Sequence, residues 1–398
     1  RFRMMPGGLA RIARTSHSRS VSMQAGGESK DTWVLRGPDP SDDQGPVLAS
    51  EGPVELRRDT DNLPSRTADN LFWLGRYIER TESLARVLRC VLRSLQEELG
   101  SRFHLGVLPI IGSFLNEEQE RRLRVASEDA IDLRLANRYL DHMVHDLDCL
   151  GSLAQNFTHL RRISTAVKER LSLDAWALLR AGVEGAAPIA RRADAYVDDP
   201  RLHQIENILT ALAGFSGMVS ENMTRGPSWT FLEVGRRIER SLALTNLTYS
   251  ALIAPGAHEE STLAKLLDCA DSVLTYRRRY LTALQVRPVL DLVLRDESNP
   301  RSLAFQVNWL RRHLPELPHH RSASPDEPIR RAAAGLFAAI DLFPLDRAVE
   351  ELVDGERVAL ATALDELAGH LARLSEAISA RYFSVIHMDG YAGGSDIL

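Results

Sequence analysis

Apolar residues recur at helical spacing through the stretch from Ser65 to Leu88, read as SRTADNLFWLGRYIERTESLARVL. At about 100° per residue, Leu71, Leu74, Ile78, Ala85 and Leu92 share one side. Asp69, Trp73, Arg76 and Arg80 share the opposite side, one turn apart, and Glu79 falls between the two faces. Gly75 sits beside the apolar stripe, where a missing side chain admits another helix at close range. Pro64 precedes the helix, Ser65 or Thr67 offers a cap, and Asp69 suits the early, positive end of the dipole.

The same text returns from Trp229 to Thr245, WTFLEVGRRIERSLALT. Gly75 to Arg80 and Gly235 to Arg240 match at five of six positions, at an offset of 160 residues. The phase agrees too: Phe231, Val234, Ile238 and Leu242 are apolar on one side, while Glu233, Arg236 and Arg240 line the other. The match predicts two equivalent helices in two related halves.

The pattern divides the rest of the chain into helices. The first motif helix runs to about Leu99, and Pro109 to Asn116 reads as a connection. Helical pattern resumes from Glu117 to Leu147, and again from Ser152 to Arg180, before a break at Gly182 to Pro188. Pro200 opens a helix over Arg201 to Met223. Ser228 then caps the second motif helix, which ends near Ala254. Further helices are expected over Ser261 to Leu284, Pro288 to Arg295, from an Asn299 cap with Pro300 at the first position to just before Pro315, over Pro328 to Phe343, and over Glu356 to Phe383. No alternating strand pattern survives after Pro64, so the expected fold is all-α, a bundle of roughly ten helices with an irregular N-terminal arm.

That arm differs in kind. Residues 1–36 carry glycines and short apolar runs that suggest strand and loop, in a piece too short to bury its own core. Residues 37–62, rich in acids and prolines, read as a flexible linker to a helical domain over 63–398. An opening Arg in place of Met is the expectation for a piece of a longer polypeptide or an early-truncated reading frame.

Composition narrows the function classes. The net charge of −5 speaks against general nucleic-acid binding. No apolar run is long enough to span a bilayer, so no membrane role is expected. Three scattered cysteines, Cys90, Cys149 and Cys269, suggest no disulfide framework and a reducing, cytoplasmic setting. Of 49 basic residues only Lys30, Lys168 and Lys265 are lysines, so the cationic chemistry belongs to forked guanidinium groups.

The main candidate site is therefore the pair of polar faces: Asp69, Trp73, Arg76 and Arg80 with Glu233, Arg236 and Arg240. If the two helices face each other, four guanidiniums converge. They either bind a phosphate or carboxylate ligand or neutralise nearby carboxylates as an internal network. Glu79 and Glu239 are the candidates for a general base. Arg278, as the one inward member of the Arg277-Arg278-Arg279 run, and Asn299 with Arg301 are secondary ligand-binding candidates. His142 and His145 share a helix face but lack a recognisable third ligand, so no metal is assigned.

The G-R-x-I-E-R helices, Tyr276-Arg277-Arg278-Arg279-Tyr280, Asn299-Pro300-Arg301-Ser302 and Arg381-Tyr382-Phe383 together resemble the Alpha-E family, bacterial all-helical domains named for an E-R motif. The arm, with Met5-Pro6-Gly7-Gly8-Leu9-Ala10-Arg11 and Lys30-Asp31-Thr32-Trp33-Val34-Leu35, resembles the C-terminal end of circularly permuted ATP-grasp ligases. The two resemblances together imply a helical partner, in cis or in trans, of an ATP-dependent carboxylate–amine ligase. ATP and magnesium would then belong to the ligase domain, and this chain would bind no cofactor of its own. The helical part would position an anionic substrate such as a peptide terminus, or dock the ligase. A stand-alone enzyme acting on a peptide or acyl-phosphate, and a purely structural scaffold, are the alternatives.

Overall fold

The computed structural model describes residues 7–12, 28–33, 63–97, 106–113, 133–149, 151–184, 199–256, 258–318 and 327–383. The chain divides into two units, Arg1–Arg58 and Asp59–Leu398. In the first, β1 (Gly7–Ile12) and β2 (Glu28–Trp33) pair antiparallel, with Gly7 opposite Trp33 and Ile12 opposite Glu28. The expected linker over 37–62, the helical stretch 117–132 and the tail 389–398 lie outside the described residues.

The second unit is an all-α, multi-helix assembly with fourteen α-helices among the described residues. The first seven are α1 (Ser65–Glu97), α2 (Leu108–Gly112), α3 (Leu133–His145), α4 (Leu153–Val167), α5 (Leu173–Glu184), α6 (Pro200–Asn222) and α7 (Pro227–Leu252). Then come α8 (Glu259–Cys269), α9 (Val273–Tyr280), α10 (Val286–Leu290), α11 (Leu303–His313), α12 (Glu327–Asp341), α13 (Leu345–Glu350) and α14 (Val358–Tyr382). Helices α1 and α7 form the centre, and each is buried round most of its circumference. On one side α1 packs against α4 and α6, with α5 on α6; on the other α7 packs against α11 and α14, with α12 on α14.

Several boundaries depart from the periodicity, each for a local reason. The stretch read as one helix over Ser152 to Arg180 is two. Leu171 is extended, and the Ser172 hydroxyl accepts the Ala175 N–H at 3.2 Å, a cap that starts α5. Helix α5 continues through Gly182, where a Cβ would come within 2.9 Å of the Ala211 Cβ, so this glycine serves close packing rather than a break. Pro109 lies inside α2, not in a connection. Gly226, not Ser228, precedes α7, and the Thr230 hydroxyl donates to its carbonyl. Ser261 to Leu284 breaks between α8 and α9 at Asp271, whose φ is +53°. The turn is a Schellman closure, in which the Ser272 N–H reaches the Leu267 carbonyl and the Asp271 N–H the Asp268 carbonyl. Asn299 does not cap α11. Ser302 does, accepting the Phe305 N–H at 3.0 Å.

A second pair of matching segments emerges here. Ser152 before α4 and Ser302 before α11 each cap their helix and each donate to an aspartate carbonyl six residues back, Asp146 and Asp296. In both turns that aspartate's Oδ1 accepts the N–H two residues on, from Asp148 and Ser298. The two helices dock on α1 and α7 respectively, so the two sides of the assembly are built alike.

The centre is set by two glycines. A Cβ on Gly75 would overlap the Leu232 carbonyl oxygen, and one on Gly235 would overlap the Phe72 carbonyl oxygen. Phe72 and Leu232 are themselves 160 residues apart, so the approach is reciprocal. Phe383 closes one end of the crossing, with ring centroids 5.4 Å from Phe72 and 5.8 Å from Phe231. Gly75→Ala should destabilise the fold by about 3 kcal/mol, because backbone rather than a flexible side chain must move. Gly217→Ala, in an exposed part of α6 with open space beside it, should stabilise by about 1 kcal/mol. Chemical denaturation of both variants checks the contrast; equal effects would refute the packing argument.

Candidate functional site

The close crossing brings the polar sides of α1 and α7 together, and their charges interlock across it. Glu79 on α1 accepts from Arg236 Nε at 2.9 Å and from Arg240 Nε and Nη2 at 2.8 and 2.7 Å. Glu239 on α7 accepts from Arg76 Nε at 2.5 Å and from Arg80 Nε and Nη2 at 2.7 and 3.2 Å. Shifting every number by 160 turns one set into the other. The i, i+4 spacing of each arginine pair aims both guanidiniums at the same opposing carboxylate. The network is deep: Arg76 is 7 % exposed and Glu79 1 %.

The outer atoms of the central arginines are also held in matched fashion. Arg76 Nη1 donates to the Ser375 hydroxyl on α14 at 2.6 Å, and Arg236 Nη2 to the Ser216 hydroxyl on α6 at 3.0 Å. The flanks differ. Arg76 lies 5.2 Å from the Trp73 ring, whereas Arg236 meets Glu233, at the matching position, at 2.6 Å. Arg237 bonds both Glu233 and Gln306 and lies 5.1 Å from the Trp309 ring. Burial alone would raise the Glu233 carboxyl, but Arg236 and Arg237 outweigh it and hold it down to about 2. Asp69, half-buried, moves the other way: burial raises it, against a hydrogen bond from Trp73.

Beside this centre the matching stops. Glu82, buried on α1, accepts from Arg301 Nη1 at 2.8 Å and Arg86 Nε at 3.0 Å, with Arg240 at 3.7 Å. Burial would raise this carboxyl, yet Arg301, Arg240 and Arg86 together hold it well below the usual carboxylate range. A cavity of about 50 Å³ opens here, room for a few water molecules or one carboxylate-sized group. Arg86, Arg240 and Arg301 line it, with Glu79, Glu82, Ser83, Cys269 and an apolar floor that includes Leu244 and Leu247. At the matching positions on the other side stand Leu242 for Glu82, Asn246 for Arg86 and Gly151 for Arg301. The pocket thus belongs to one side only. Asn299 braces it: its Nδ2 donates to the Ser272 hydroxyl and the Leu292 carbonyl, and its Oδ1 accepts the Arg301 N–H.

Of the residues singled out in the sequence, Arg76, Arg80, Arg236, Arg240, Glu79, Glu233 and Glu239 converge at the crossing. Trp73 borders it, and Arg301 joins through Glu82. Asp69 lies toward the start of α1, two turns before Arg76. Arg278 is exposed on α9 and contributes nothing to the pocket lining. His142 pairs with Asp146, Nδ1 to Oδ2 at 2.8 Å, and among the described residues no group of three or more His, Cys, Asp or Glu side chains could hold a metal ion. Among those residues, too, no helix is long and apolar enough to cross a membrane. Sequence reading missed Glu82, Arg86, Asp271, Ser216 and Ser375. Glu82 and Arg86 carried a signal, an i, i+4 pair of opposite charges that begins two residues past Arg80. The others become neighbours only through packing.

Two matched helices joined by crossed Glu-Arg pairs make this an all-helical protein organised on an E-R dipeptide, here Glu79-Arg80 and Glu239-Arg240. The Alpha-E family, described as a predicted alpha-helical domain with a conserved ER motif, matches residues 63–383, and the chain belongs to it. Uncharacterized protein Rv2567 of Mycobacterium tuberculosis and Uncharacterized protein Mb2597 of Mycobacterium bovis are each 30 % identical to it over 331 residues, covering 79 % of this chain. The chain spans 36 % of the length of these curated relatives. No solved structure matches it.

Arg76→Ala should destabilise the fold by about 3 kcal/mol in urea titration at neutral pH, since it removes a buried charge from a closed network. A loss under about 1 kcal/mol would show that the crossing does not depend on the pair. The Glu233 carboxyl has a folded value below its ordinary 4.5. The unfolded chain therefore binds the extra proton as pH falls, and this contribution to stability is complete above about 4.5 and lost towards about 2. Glu233→Gln should flatten the stability profile across that window; an unchanged profile would refute the assignment.

Proposed function

We propose that the helical part of this chain is a substrate-positioning partner of an ATP-grasp-type carboxylate–amine ligase, and that it seats an anionic group of the substrate between Arg86, Arg240 and Arg301. The observation that carries this reading is the one-sided pocket. A cluster needed only to hold two matched halves together would have a counterpart at Leu242, Asn246 and Gly151, and those residues bring no charge. Guanidiniums in a partly enclosed, low-dielectric pocket favour carboxylate or phosphate over water. The likeness of residues 1–36 to the end of a permuted ATP-grasp ligase supports the choice of partner. ATP and magnesium would be held by the ligase, and the substrate would be a peptide terminus or another acid.

One observation favours a purely structural reading of the central arginines: each of Arg76, Arg80, Arg236 and Arg240 is already bonded to Glu79 or Glu239. The same bonds count against the stand-alone enzyme, because each glutamate already accepts three guanidinium N–H groups and keeps one of about four lone-pair sites for a substrate proton. ATP turnover and product formation by the cognate ATP-grasp protein, measured with and without this chain, test the proposal. Turnover should fall at least about tenfold, about 1.4 kcal/mol, without the chain or with Arg301→Gln, while helical content stays unchanged. Turnover that is indifferent to both would defeat it and leave the scaffold.

A further inference from the structure

Asp271 occupies a position at which the backbone alone favours glycine. It is the left-handed residue that closes α8, with φ at +53°. Its neighbours are fixed: Ala270 and Ser272 are buried, and Asn299 grips the Ser272 hydroxyl at 3.2 Å. Its own side chain is 58 % exposed and lies outside the cavity lining, with one oxygen, Oδ2, at 3.3 Å from Arg86 Nη1 and 3.8 Å from Arg301 Nη2. Those distances are long beside the 2.8 to 2.9 Å with which the same two arginines hold Glu82, and long for charge-assisted bonds in general. The two guanidiniums therefore have a firm inner partner and a loose outer one.

We infer that Asp271 is a resident stand-in for the ligand's carboxylate, a self-occupying group that a small aliphatic carboxylate displaces from Arg86 and Arg301. This rests on the reading of the pocket as an anion seat and names what it takes and what regulates it. A carboxylate is the group these two guanidiniums already meet on their outer side, and the adjoining cavity lined by Val87, Ala243, Leu244, Leu247 and Ala270 suits a short aliphatic body. Asp271 swings out without unfolding the turn, because the turn is closed by backbone N–H groups and by Asn299, not by the aspartate side chain. A seat filled part of the time by its own carboxylate binds an outside one more weakly by the fraction of time it is free.

Calorimetric titration of the full chain with butyrate, and separately with inorganic phosphate, tests this. Asp271→Asn keeps a side chain that tolerates the left-handed backbone and removes the competing charge. It should bind butyrate about tenfold more tightly than the unaltered chain, with a smaller gain for phosphate. Asp268→Asn removes the same charge within the last turn of α8 and should change nothing. Arg301→Gln should abolish binding of both probes. If Asp271→Asn binds no more tightly while Arg301→Gln still loses binding, the stand-in role falls and the anion seat remains. If Asp268→Asn tightens binding equally, the effect is general electrostatics and the inference is overturned. A larger gain for phosphate overturns the carboxylate assignment. No binding of either probe to any variant removes both the inference and the seat.

Discussion

The backbones of α1 and α7 come close enough at Gly75 and Gly235 that neither position accepts a methyl group. Everything else in the helical unit follows from that approach. With the axes this near, side chains one turn along cannot pass each other, and the positions next in line must be complementary rather than merely apolar. Glu79 meets Arg236 and Arg240, and Glu239 meets Arg76 and Arg80. A buried ion network adds little net stability over an apolar core of the same shape, but it penalises every other register of the two helices, because a one-turn slip would leave several charges unpaired. Glycine sets the distance and the crossed pairs set the register.

The outer helices serve this centre. Ser216 on α6 and Ser375 on α14 satisfy remaining guanidinium donors, so the helix packed on one side helps solvate the arginine that projects from the other. The matched caps at Ser152 and Ser302 start the two helices that press on α1 and α7. The Phe383 ring, just past α14, lies against Phe72 and Phe231 and covers the end of the crossing. Matched construction of this kind makes departures from it informative. Glu82, Arg86 and Arg301 have no charged counterparts across the centre. The cleft they line shares Glu79 and Arg240 with the lock that holds the bundle, while Glu82, Arg86 and Arg301 lie beyond that lock.

The helical class, the central pair of helices and the convergence of their arginines were legible in residue spacing, because period 3.6 and an offset of 160 survive in the one-dimensional text. Boundaries inside long helical patterns were less so. Leu171 and Asp271 break helices through a serine cap and a Schellman turn, signals of one or two residues within otherwise continuous periodicity. Asn299 misled for a related reason: it has the chemistry of a cap, and Ser302, three residues on, performs that task while Asn299 clamps Ser272 and Leu292.

Local spacing could thus say which faces are apolar, which are charged, and that two of them match. It could not say which carboxylate each arginine would choose, since Arg76 and Glu239 are 163 residues apart and meet only when the glycines let the helices touch. Nor could it show that Arg301 reaches Glu82 across 219 residues, or that an aspartate at a helix break would lie near the same arginine. Pair choice and pocket shape depend on distances between elements, and those distances are set by the packing of the whole bundle.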